Sequence, residues 1–579
     1  MGGKALLRFF EGDEGVCVEE FAPEEAKQLE GVVSSTEGTV FGWKIGERLT
    51  PEQAGALLSR YSRTSLTGRR LFLKEFLPNR ERGREFFESW LVDYGDDSIQ
   101  EMAGGIPLSC EFVSNLAVKE IEDNRMGSYI EKSSRYVFFD KKLPNGEYMF
   151  YKDPDIMNSR FGERYLRLMR GLFESYTKYM EKMTAYMKER NSFDAQTFRI
   201  GAMALKPSEI TKGMEEYGIT EEDLKKAYDN AAKANALDFM RDYLPMATLT
   251  HVGISMNARS YENLVIKLRA SPLAEARKVG NEAAKELAKI IPSLMRRVDE
   301  RHGNEYVEFL SKKRRLAEEL SSKIWGNSLS RRIENATLIE YTGRETNNPN
   351  AEAEIRLAAA ILYRFGSGCS YQKALDKAKT LDPDMRDELI RAYVGERLNR
   401  RHKPGRAFEN IEYLFGLVGR TGIYRDIQRH RIGTQERQDF TVKLGYKTRD
   451  EFKAIGIAED YESKMAEVVE LFNDLRKVLP HQSQYVVTYG FNTGWYYRMN
   501  ARQLFHLCEL RSTPSGHPDY RALVQDMFYK VSEVHPCITQ HMNFMNLEKK
   551  ELGRIDSEIR IAIKRKEMDK GAGYASRSG

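Results

Sequence analysis

Three consecutive residues, Arg429, His430 and Arg431, followed by Ile432, Gly433 and Thr434, are the strongest chemical feature of this chain. Guanidinium is the group of choice for phosphate because its planar fork engages two oxygens at once. On a helix the three side chains would point three ways; on a turn they can converge on one anion. In isolation such a trio is more often a solvated basic turn than a site. A second, altered copy upstream changes that balance. There the chain reads Asp123-Asn124-Arg125-Met126-Gly127-Ser128 and continues to Glu131, Ser133, Arg135 and Tyr136. With Arg125 set on Arg431, Ser128 falls on Thr434. The upstream copy has Asp-Asn where the downstream copy has Arg-His. The downstream copy has Arg437, Asp439 and Thr441 where the upstream copy has Glu131, Ser133 and Arg135. Each copy keeps the half that the other lacks.

Other candidates carry the same kinds of group. Glu131, Ser133 and Arg135 alternate, so an extended loop would turn all three to one side. A hydroxyl with an Arg suits a phosphate monoester, and a carboxylate suits a ribose or a base edge; the alternative is an ordinary polar loop. Asn257 with Arg259, and Asn500 with Arg502, place an amide and a guanidinium two apart. Polar residues entering a helix would look the same. Arg241 and Arg476 each lie four residues before a proline, near a helix end, where a cation is also favoured by the helix dipole alone. His402 precedes Lys403-Pro404-Gly405-Arg406 and could serve only a turn.

These pairs make the second copy a duplication. Arg241-Asp-Tyr-Leu-Pro245 matches Arg476-Lys-Val-Leu-Pro480. Met256-Asn-Ala-Arg259 matches Met499-Asn-Ala-Arg502, and each is followed by a Leu-Arg pair ending at Arg269 or Arg511. The order is the same in both halves. The spacing differs: 116 residues separate Arg125 from Arg241, and 45 separate Arg431 from Arg476. The first half therefore holds an insertion, placed at about residues 155–230.

The elements that must position these residues follow from pattern. Residues 22–32 and 50–63 read as helices, with Pro51 suited to a helix start after Thr50. Residues 109–122 read as a helix with Val113, Leu116, Ala117 and Ile121 on a buried face. It delivers the chain into the Arg125–Tyr136 loop, and Tyr136–Phe139 reads as a strand leaving it. The second half repeats the plan, with residues 408–428 helical up to the Arg-His-Arg turn. Residues 155–230 and 273–325 read as helical, the latter including the connector between repeats. Asn347-Asn348-Pro349-Asn350 marks a turn. Residues 548–570 hold eight Lys/Arg against six Asp/Glu and read as a mixed-charge solvated helix, with a flexible end at 571–579.

Bulk properties set bounds. At 579 residues the chain exceeds one ordinary core, and two domains of about 290 residues each, 1–310 and 311–579, fit the repeat. Hydrophobic content of 41% with 31% charged residues describes a soluble globular protein, and no run is apolar enough to span a bilayer. The start is a poor secretory signal. Cys17, Cys110, Cys369, Cys508 and Cys537 show no paired spacing, so reduced thiols, no metal centre and a cytoplasmic location are expected. A net charge of +5 does not call for nucleic acid. Seven of nine histidines lie at or after His402, which favours the second half for imidazole chemistry. There is no dinucleotide-binding glycine motif, P-loop, or zinc-protease motif.

The pattern Arg-His-Arg-x-x-Ser-x-x-Glu-x-Ser-x-Arg-Tyr, assembled from the two copies, resembles the signature of the flavin-dependent thymidylate synthases. The Arg-x-x-Leu-Pro and Asn-Ala-Arg…Leu-Arg segments extend the resemblance, so the chain looks like two such domains in tandem. The resemblance implies a mixed α/β (α+β) fold with peripheral helices and sites shared between subunits of a tetramer. It implies bound FAD, NADPH as reductant, and methylenetetrahydrofolate as donor of the carbon that converts dUMP to dTMP. By matching position, Arg429, His430 and Arg431 would contact flavin and nucleotide. Glu131, Ser133 and Arg135 would form the nucleotide-phosphate loop, joined by Arg511 and, one residue out of register, Arg269. Arg241 or Arg476 would hold the uracil edge and favour charge developing on the base. His402, Thr434, Asn257, Arg259, Asn263, Asn500, Arg502 and His506 would line the flavin, with Asp96 at the place of His402 in the first half.

The departures also carry meaning. Asp439 stands in place of the loop serine and Asp123 in place of an arginine, and both would repel a phosphate. A site with Ser133 and Arg429 together is charged correctly; one with Asp439 and Asp123 together is not. One composite site per chain, in a homodimer whose four domains mimic the tetramer, is therefore the expectation. Two rivals stand beside it. The same chemistry on another uracil-containing substrate such as RNA is opposed by the modest net charge. A non-catalytic nucleotide- or flavin-binding protein is opposed by the complementarity of the two losses.

Overall fold

In the computed structural model the described residues are 9–11, 17–78, 105–143, 145–201, 203–209, 211, 217–325 and 334–575. Asp96 lies outside them. The architecture is mixed α/β, and each repeat carries a four-stranded antiparallel sheet of the same topology. The first comprises β1 (Val40–Gly42), β2 (Ile106–Ser114), β3 (Ser128–Glu131) and β4 (Leu249–Met256), in the order β1-β2-β4-β3. The second comprises β5 (Ala336–Tyr341), β6 (Glu412–Arg420), β7 (Thr434–Arg437) and β8 (Asn492–Asn500), in the order β5-β6-β8-β7. The registers agree with the sequence repeat. Ser128 faces Ser255 across β3–β4, and Thr434 faces Arg498 across β7–β8. Setting Asn257 on Asn500 also sets Ser255 on Arg498, so the duplication read from tetrapeptides is a duplication of a sheet.

Each sheet feeds the same helices. α1 (Asn115–Ile121) follows β2, and α6 (Thr421–Ile427) follows β6; both lead into the motif turns. In the first repeat α2 (Gly162–Arg190) and α3 (Glu221–Met240) precede β4, and α4 (Ala258–Arg269) and α5 (Ala274–Ala288) follow it. In the second repeat α7 (Ala458–Arg476) precedes β8, and α8 (Ala501–Arg511) and α9 (Pro518–Val534) follow it. Helices at Pro23–Leu29 and Pro51–Tyr61 meet expectation; the Thr50 hydroxyl accepts from the Gln53 N–H at 3.2 Å. The predicted helical stretch 273–325 is also helical, and the Asn347–Asn350 turn is the start of a helix capped by Asn348.

Five expectations need correction. The insertion at 155–230 is not helical throughout: Phe198–Ile200 and Met203–Leu205 pair as a two-stranded antiparallel hairpin between its helices. Residues 109–122 are strand β2 followed by a short helix, not one helix. β2 is buried on both faces, and its Leu108, Cys110 and Phe112 alternate with the buried Ser109 and Glu111, a period-2 signal that the helical reading passed over. The Ser114 side chain makes the change, accepting from the Ala117 N–H at 3.0 Å as the helix cap. Residues 408–428 likewise hold strand β6 before α6. Here the buried Tyr413, Phe415 and Leu417 alternate, a period-2 signal that the helical reading passed over. Tyr136–Phe139 is not a strand; the chain turns at Ser134–Tyr136, where the Val137 N–H donates to the Ser133 carbonyl at 2.9 Å. The C-terminal helix runs Ile555–Ala575, past the expected end at 570.

By compactness the chain divides into residues 1–329, 447–490 and 558–579 as one unit, and 330–446 and 491–557 as the other. This division differs from the expected linear boundary at 310/311, because part of the second repeat is built into the first unit. There Arg164 of α2 pairs with Glu470 and Asp474 of α7 at 2.9 and 2.8 Å. The insertion at 155–230 thus supplies a helix that packs on α7, and its last residues belong to α3, the counterpart of α7. Within the same unit the segments after the two Arg-x-x-Leu-Pro motifs pair about an antiparallel bridge, Pro245 to Thr488. The Met246 N–H donates to the Val487 carbonyl at 2.8 Å, and the Tyr489 N–H donates to the Leu244 carbonyl at 2.9 Å. Counted back from the starts of β4 and β8, Met246 and Tyr489 hold equivalent places, as do Leu244 and Val487; this register is eight residues off the one that sets Pro245 on Pro480. The pairing therefore has the self-complementary form of a two-fold contact.

The central ladders of the two sheets differ in one feature. β2 carries a bulge between Glu111 and Val113, with Phe112 at φ 55°, the non-glycine residue with positive φ among those described. A bulge fits one extra residue into a strand at the cost of an unfavourable backbone conformation. The Phe112 N–H donates to His251 Nδ1 at 3.1 Å, so the orphaned ladder donor is satisfied by a side chain. The β6–β8 ladder has no such shift.

Buried titratable groups make stability depend on pH in two directions. His535 Nε2 meets the Thr342 carbonyl at 3.0 Å and Nδ1 meets the Tyr413 hydroxyl at 2.9 Å, a neutral imidazole serving as donor and acceptor. Burial pushes it down to about 4. An unfolded histidine titrates near 6.5. Its contribution is therefore complete above that value and is lost as pH falls from 6.5 through 4. Glu275 of α5 accepts from the Ser114 N–H at 2.6 Å and the Tyr485 hydroxyl at 2.8 Å, and burial pushes it up to about 7. Its contribution runs the other way, complete at acid pH and lost as pH rises from the ordinary carboxyl range through about 7. The Tm is expected to fall on acidification from pH 6.5 to 4 and to fall less steeply in His535→Gln. An unchanged slope in that variant would remove His535 from the account.

Candidate active site

The Arg-His-Arg segment forms the turn between α6 and β7, and it splits the three side chains. Arg429 is exposed, His430 is buried and Arg431 is half-buried. They do not converge as a trio; the turn drives the central residue inward. The His430 N–H donates to the Ile427 carbonyl at 3.0 Å, closing the end of the helix. Its carbonyl accepts from the Gln435 side-chain amide at 2.8 Å and from the Tyr497 hydroxyl at 2.9 Å. The ring is thus set by the turn, by β7 and by β8.

Helix α8 supplies the rest. Asn500 caps it, its side chain accepting from the Gln503 N–H at 2.9 Å. Arg511, at the other end, donates from Nε to His430 Nε2 at 2.9 Å and brings Nη1 to 3.8 Å from Asp426 of α6. His506 stands between, its ring 5.2 Å from that of His430. The field here is cationic. Burial first, then the charges of Arg511, His506, Arg431 and Lys403, hold His430 well below the usual histidine range. Burial, then Lys403, Arg400 and Arg511, pushes His506 down to about 4. Both imidazoles are neutral at pH 7, and the arginines and lysine around them supply the positive charge. Such a cluster binds anions and presents neutral nitrogen lone pairs and donors beside them.

Two predicted residues serve as supports. Arg502 donates to the Pro404 carbonyl at 2.9 Å and pairs with Glu409 at 3.1 Å, tying the 398–405 turn to α8. His402 is exposed in that turn, its Nδ1 accepting from the Leu398 N–H at 3.3 Å. Thr434 opens β7. Sequence reasoning missed Gln435, Tyr497, Gln503 and Asp426. Gln503 sits three residues past the Asn500 cap, a spacing that was visible but says nothing of a side chain turned toward residue 430.

The first repeat has the same scaffold and keeps Arg125 at the place of Arg431, but it has Asp123 at the place of Arg429 and Leu268 at the place of Arg511. Asn124 stands at the place of His430, and its side chain donates to the Ser260 carbonyl at 3.0 Å. Its own carbonyl accepts from Tyr129 at 2.9 Å, as that of His430 accepts from Gln435 at the matching position. Asn257 is a helix cap, accepting from the Ser260 N–H at 2.9 Å. Arg259 and Asn263 are exposed on α4. Arg269 is turned to Asp299 at 2.8 Å, Asn281 at 2.9 Å and the Val298 carbonyl at 3.2 Å, so it joins helices.

The Glu131–Arg135 loop also differs from an extended cradle. Glu131 is buried at the end of β3, 3.5 Å from the buried Lys119 of α1. Arg135 makes a two-pronged pair with the buried Asp238 of α3, at 2.8 and 3.0 Å. The Ser133 hydroxyl accepts from the Arg135 N–H at 3.3 Å. The turn at Ser134 breaks the alternation, so the three side chains do not share one face. Arg241 is buried at the C-terminal end of α3, whereas Arg476 is exposed at the end of α7, over the Phe472 ring at 5.9 Å. Ser133 belongs to the first compact unit and Arg429 to the second. Among the described residues no cluster of three or more His, Cys, Asp or Glu could hold a metal ion, and no helix is long and apolar enough to cross a membrane.

The family model described as thymidylate synthase complementing protein matches residues 49–293 and 337–537, well over half of the chain, with one motif copy in each segment. A UPF0159 protein of Chlamydia pneumoniae is 32% identical over 559 residues, covering 94% of this chain and 98% of its own length. A UPF0159 protein of Thermoplasma acidophilum is 28% identical over 515 residues, covering 88% and 98%. Among solved structures, the UMP/dUMP methylase PolB of Streptomyces cacaoi bound with 5-Br dUMP is 14% identical, covers 38% of this chain and 95% of its own, and has a TM-score of 0.28. With a matching segment in each half, the chain belongs to the thymidylate synthase complementing protein family.

Proposed function

We propose that this protein is an FAD-dependent thymidylate synthase that converts dUMP to dTMP, with methylenetetrahydrofolate as carbon donor and NADPH as reductant. Family membership supports the reaction class. The observation that carries the reading for this chain is the His430–His506–Arg511 cluster, two neutral imidazoles in a field of Arg400, Lys403, Arg431 and Arg511. That donor set suits a dinucleotide diphosphate or a nucleotide phosphate, so these residues would hold the flavin and the anionic end of its partner. The flavin, when bound, supplies the hydride that completes the methyl group. Arg511 would act as a fixed cation for the anionic end of the nucleotide, oriented before substrate arrives by its contacts to His430 and Asp426, which lowers the cost of binding that anion. No activated cysteine is required: burial pushes the thiols of Cys110, Cys508 and Cys537 up, away from thiolate chemistry.

Among the described residues the cluster occurs once, in the second repeat. The purified protein is therefore expected to be yellow, with FAD near one per chain and a flavin spectrum that changes on addition of dUMP. Failure to take up added FAD would overturn the reading, and a stoichiometry near two would show that Asn124 and its surroundings also bind flavin.

A further inference from the structure

The hydrogen bonds around His430 contain a conflict that identifies a residue outside the recognised motif. Arg511 Nε can only donate, so His430 Nε2, 2.9 Å away, must carry the lone pair. In a neutral imidazole the proton is then on Nδ1. The atom facing Nδ1 is the side-chain nitrogen of Gln503, at 3.3 Å, and that too can only donate. An amide's oxygen and nitrogen are interchangeable in placement and are assigned from their partners. Reversing the Gln503 amide removes the conflict. Its oxygen then accepts from Nδ1–H at 3.3 Å, and the Tyr497 hydroxyl, whose single proton goes to the His430 carbonyl at 2.9 Å, no longer receives the amide N–H. The His430 carbonyl keeps both of its donors, the Gln435 amide at 2.8 Å and the Tyr497 hydroxyl at 2.9 Å. Gln503 is itself buried and its backbone N–H is fixed by the Asn500 cap.

We propose that Gln503 is a positioning residue: its side-chain carbonyl holds the proton on His430 Nδ1, which reserves His430 Nε2 for Arg511 and fixes the guanidinium in one orientation. The first repeat supports a joint role. At the three equivalent places it has Asn124, Ser260 and Leu268, so the imidazole, the amide and the guanidinium are missing together. The relevance to turnover rests on the proposed thymidylate synthase reading; the tautomer does not.

The test uses the full-length protein labelled with 15N-histidine. In the unliganded wild type, the His430 nitrogens are expected to show a protonated Nδ1 and an unprotonated Nε2. A protonated Nε2 would overturn the proposal whatever the enzyme does. Gln503→Glu places a carboxylate against Nδ1 and favours the imidazolium, whose Nε2–H then opposes Arg511. The groups that resist this are Arg511 and His506 on α8, Arg431 on the turn, and Lys403 on the preceding loop, with Asp426 the nearest acid to Arg511. The expected result is a KM for dUMP raised about tenfold or more at pH 7, the scale of one charge-assisted hydrogen bond, with little change in kcat. It should recover as pH is raised and the imidazolium loses its proton. Gln503→Met, of similar volume, should raise KM without that pH dependence. A KM unchanged in both variants, or raised equally at all pH values in Gln503→Glu, would overturn the positioning role. Absence of turnover in the wild type would instead overturn the reading of function and leave the tautomer result standing.

Discussion

Arg511→Ala is expected to lower kcat/KM for dTMP formation by roughly a hundredfold, the scale of a charge-assisted contact worth about 3 kcal/mol, while the protein stays folded. Arg269→Ala, one residue past the matching place in the first repeat, is expected to leave turnover near wild type. The contrast follows from what each guanidinium touches. Arg511 spends one N–H on the buried His430 and is braced by Asp426, so it is a cation held in a fixed place beside neutral rings. Arg269 is committed to Asn281, Asp299 and the Val298 carbonyl. Its loss weakens helix packing and nothing else in this account. Steady-state kinetics with circular-dichroism melts separate the two outcomes. If Arg269→Ala proves as damaging to turnover as Arg511→Ala with an unchanged melt, the assignment of the chemistry to the second repeat is wrong.

The largest stability effect is expected at Glu509. Its carboxylate takes two bonds from Arg397, at 2.7 and 2.5 Å, and both side chains are 2% exposed. Arg397 is completed by the His541 carbonyl at 2.8 Å and lies against the rings of Phe505 and Phe544. Glu509→Ala leaves a guanidinium buried without its counter-charge, which costs about 3–5 kcal/mol. Replacing both partners by apolar residues, Arg397→Met with Glu509→Leu, should restore most of that loss, because desolvation of the pair offsets much of its attraction. Chemical denaturation measures both. Glu509 sits on α8 between His506 and Arg511, so the single variant should also lose flavin affinity. An exposed pair such as Arg356 with Glu352, 2.7 Å apart on one helix, should contribute little when broken. If Glu509→Ala melts like that control, the buried pair is not what anchors α8.

How much was legible beforehand depended on whether the physics was local. The duplication was legible because its markers are short, rigid motifs. Asn257 and Asn500 are caps, and a cap depends on the four residues after it. The helix at Pro51–Tyr61, buried over residues 54–59, was legible from its local Thr50-Pro51 start, and α5 has one wet face, so its period survives in the sequence. Strands β2 and β6 did not read as strands from the same evidence. β2 is covered on both sides, and its bulge at Phe112 breaks the alternation that remained. At β6 the alternation of Tyr413, Phe415 and Leu417 was present but was absorbed into a longer apolar window.

By itself the sequence determined that this protein carries two copies of one unit, and that His430, with arginines before and after it, is kept in one copy and lost from the other. It also determined the helix caps and the lack of cysteine pairing by spacing. The tertiary structure decided what each charge does. Arg135 and Glu131 look like ligand groups in an alternating loop, yet Asp238 lies 103 residues beyond Arg135 and faces it, and Lys119 faces Glu131. Arg269 and Arg511 look alike in sequence, yet one meets Asp299 and the other meets His430, 81 residues away. The reason is that the strength of a charge–charge or charge–imidazole contact depends on distance and on exclusion of water. Both are set by segments remote in the chain, brought together only when the sheets form.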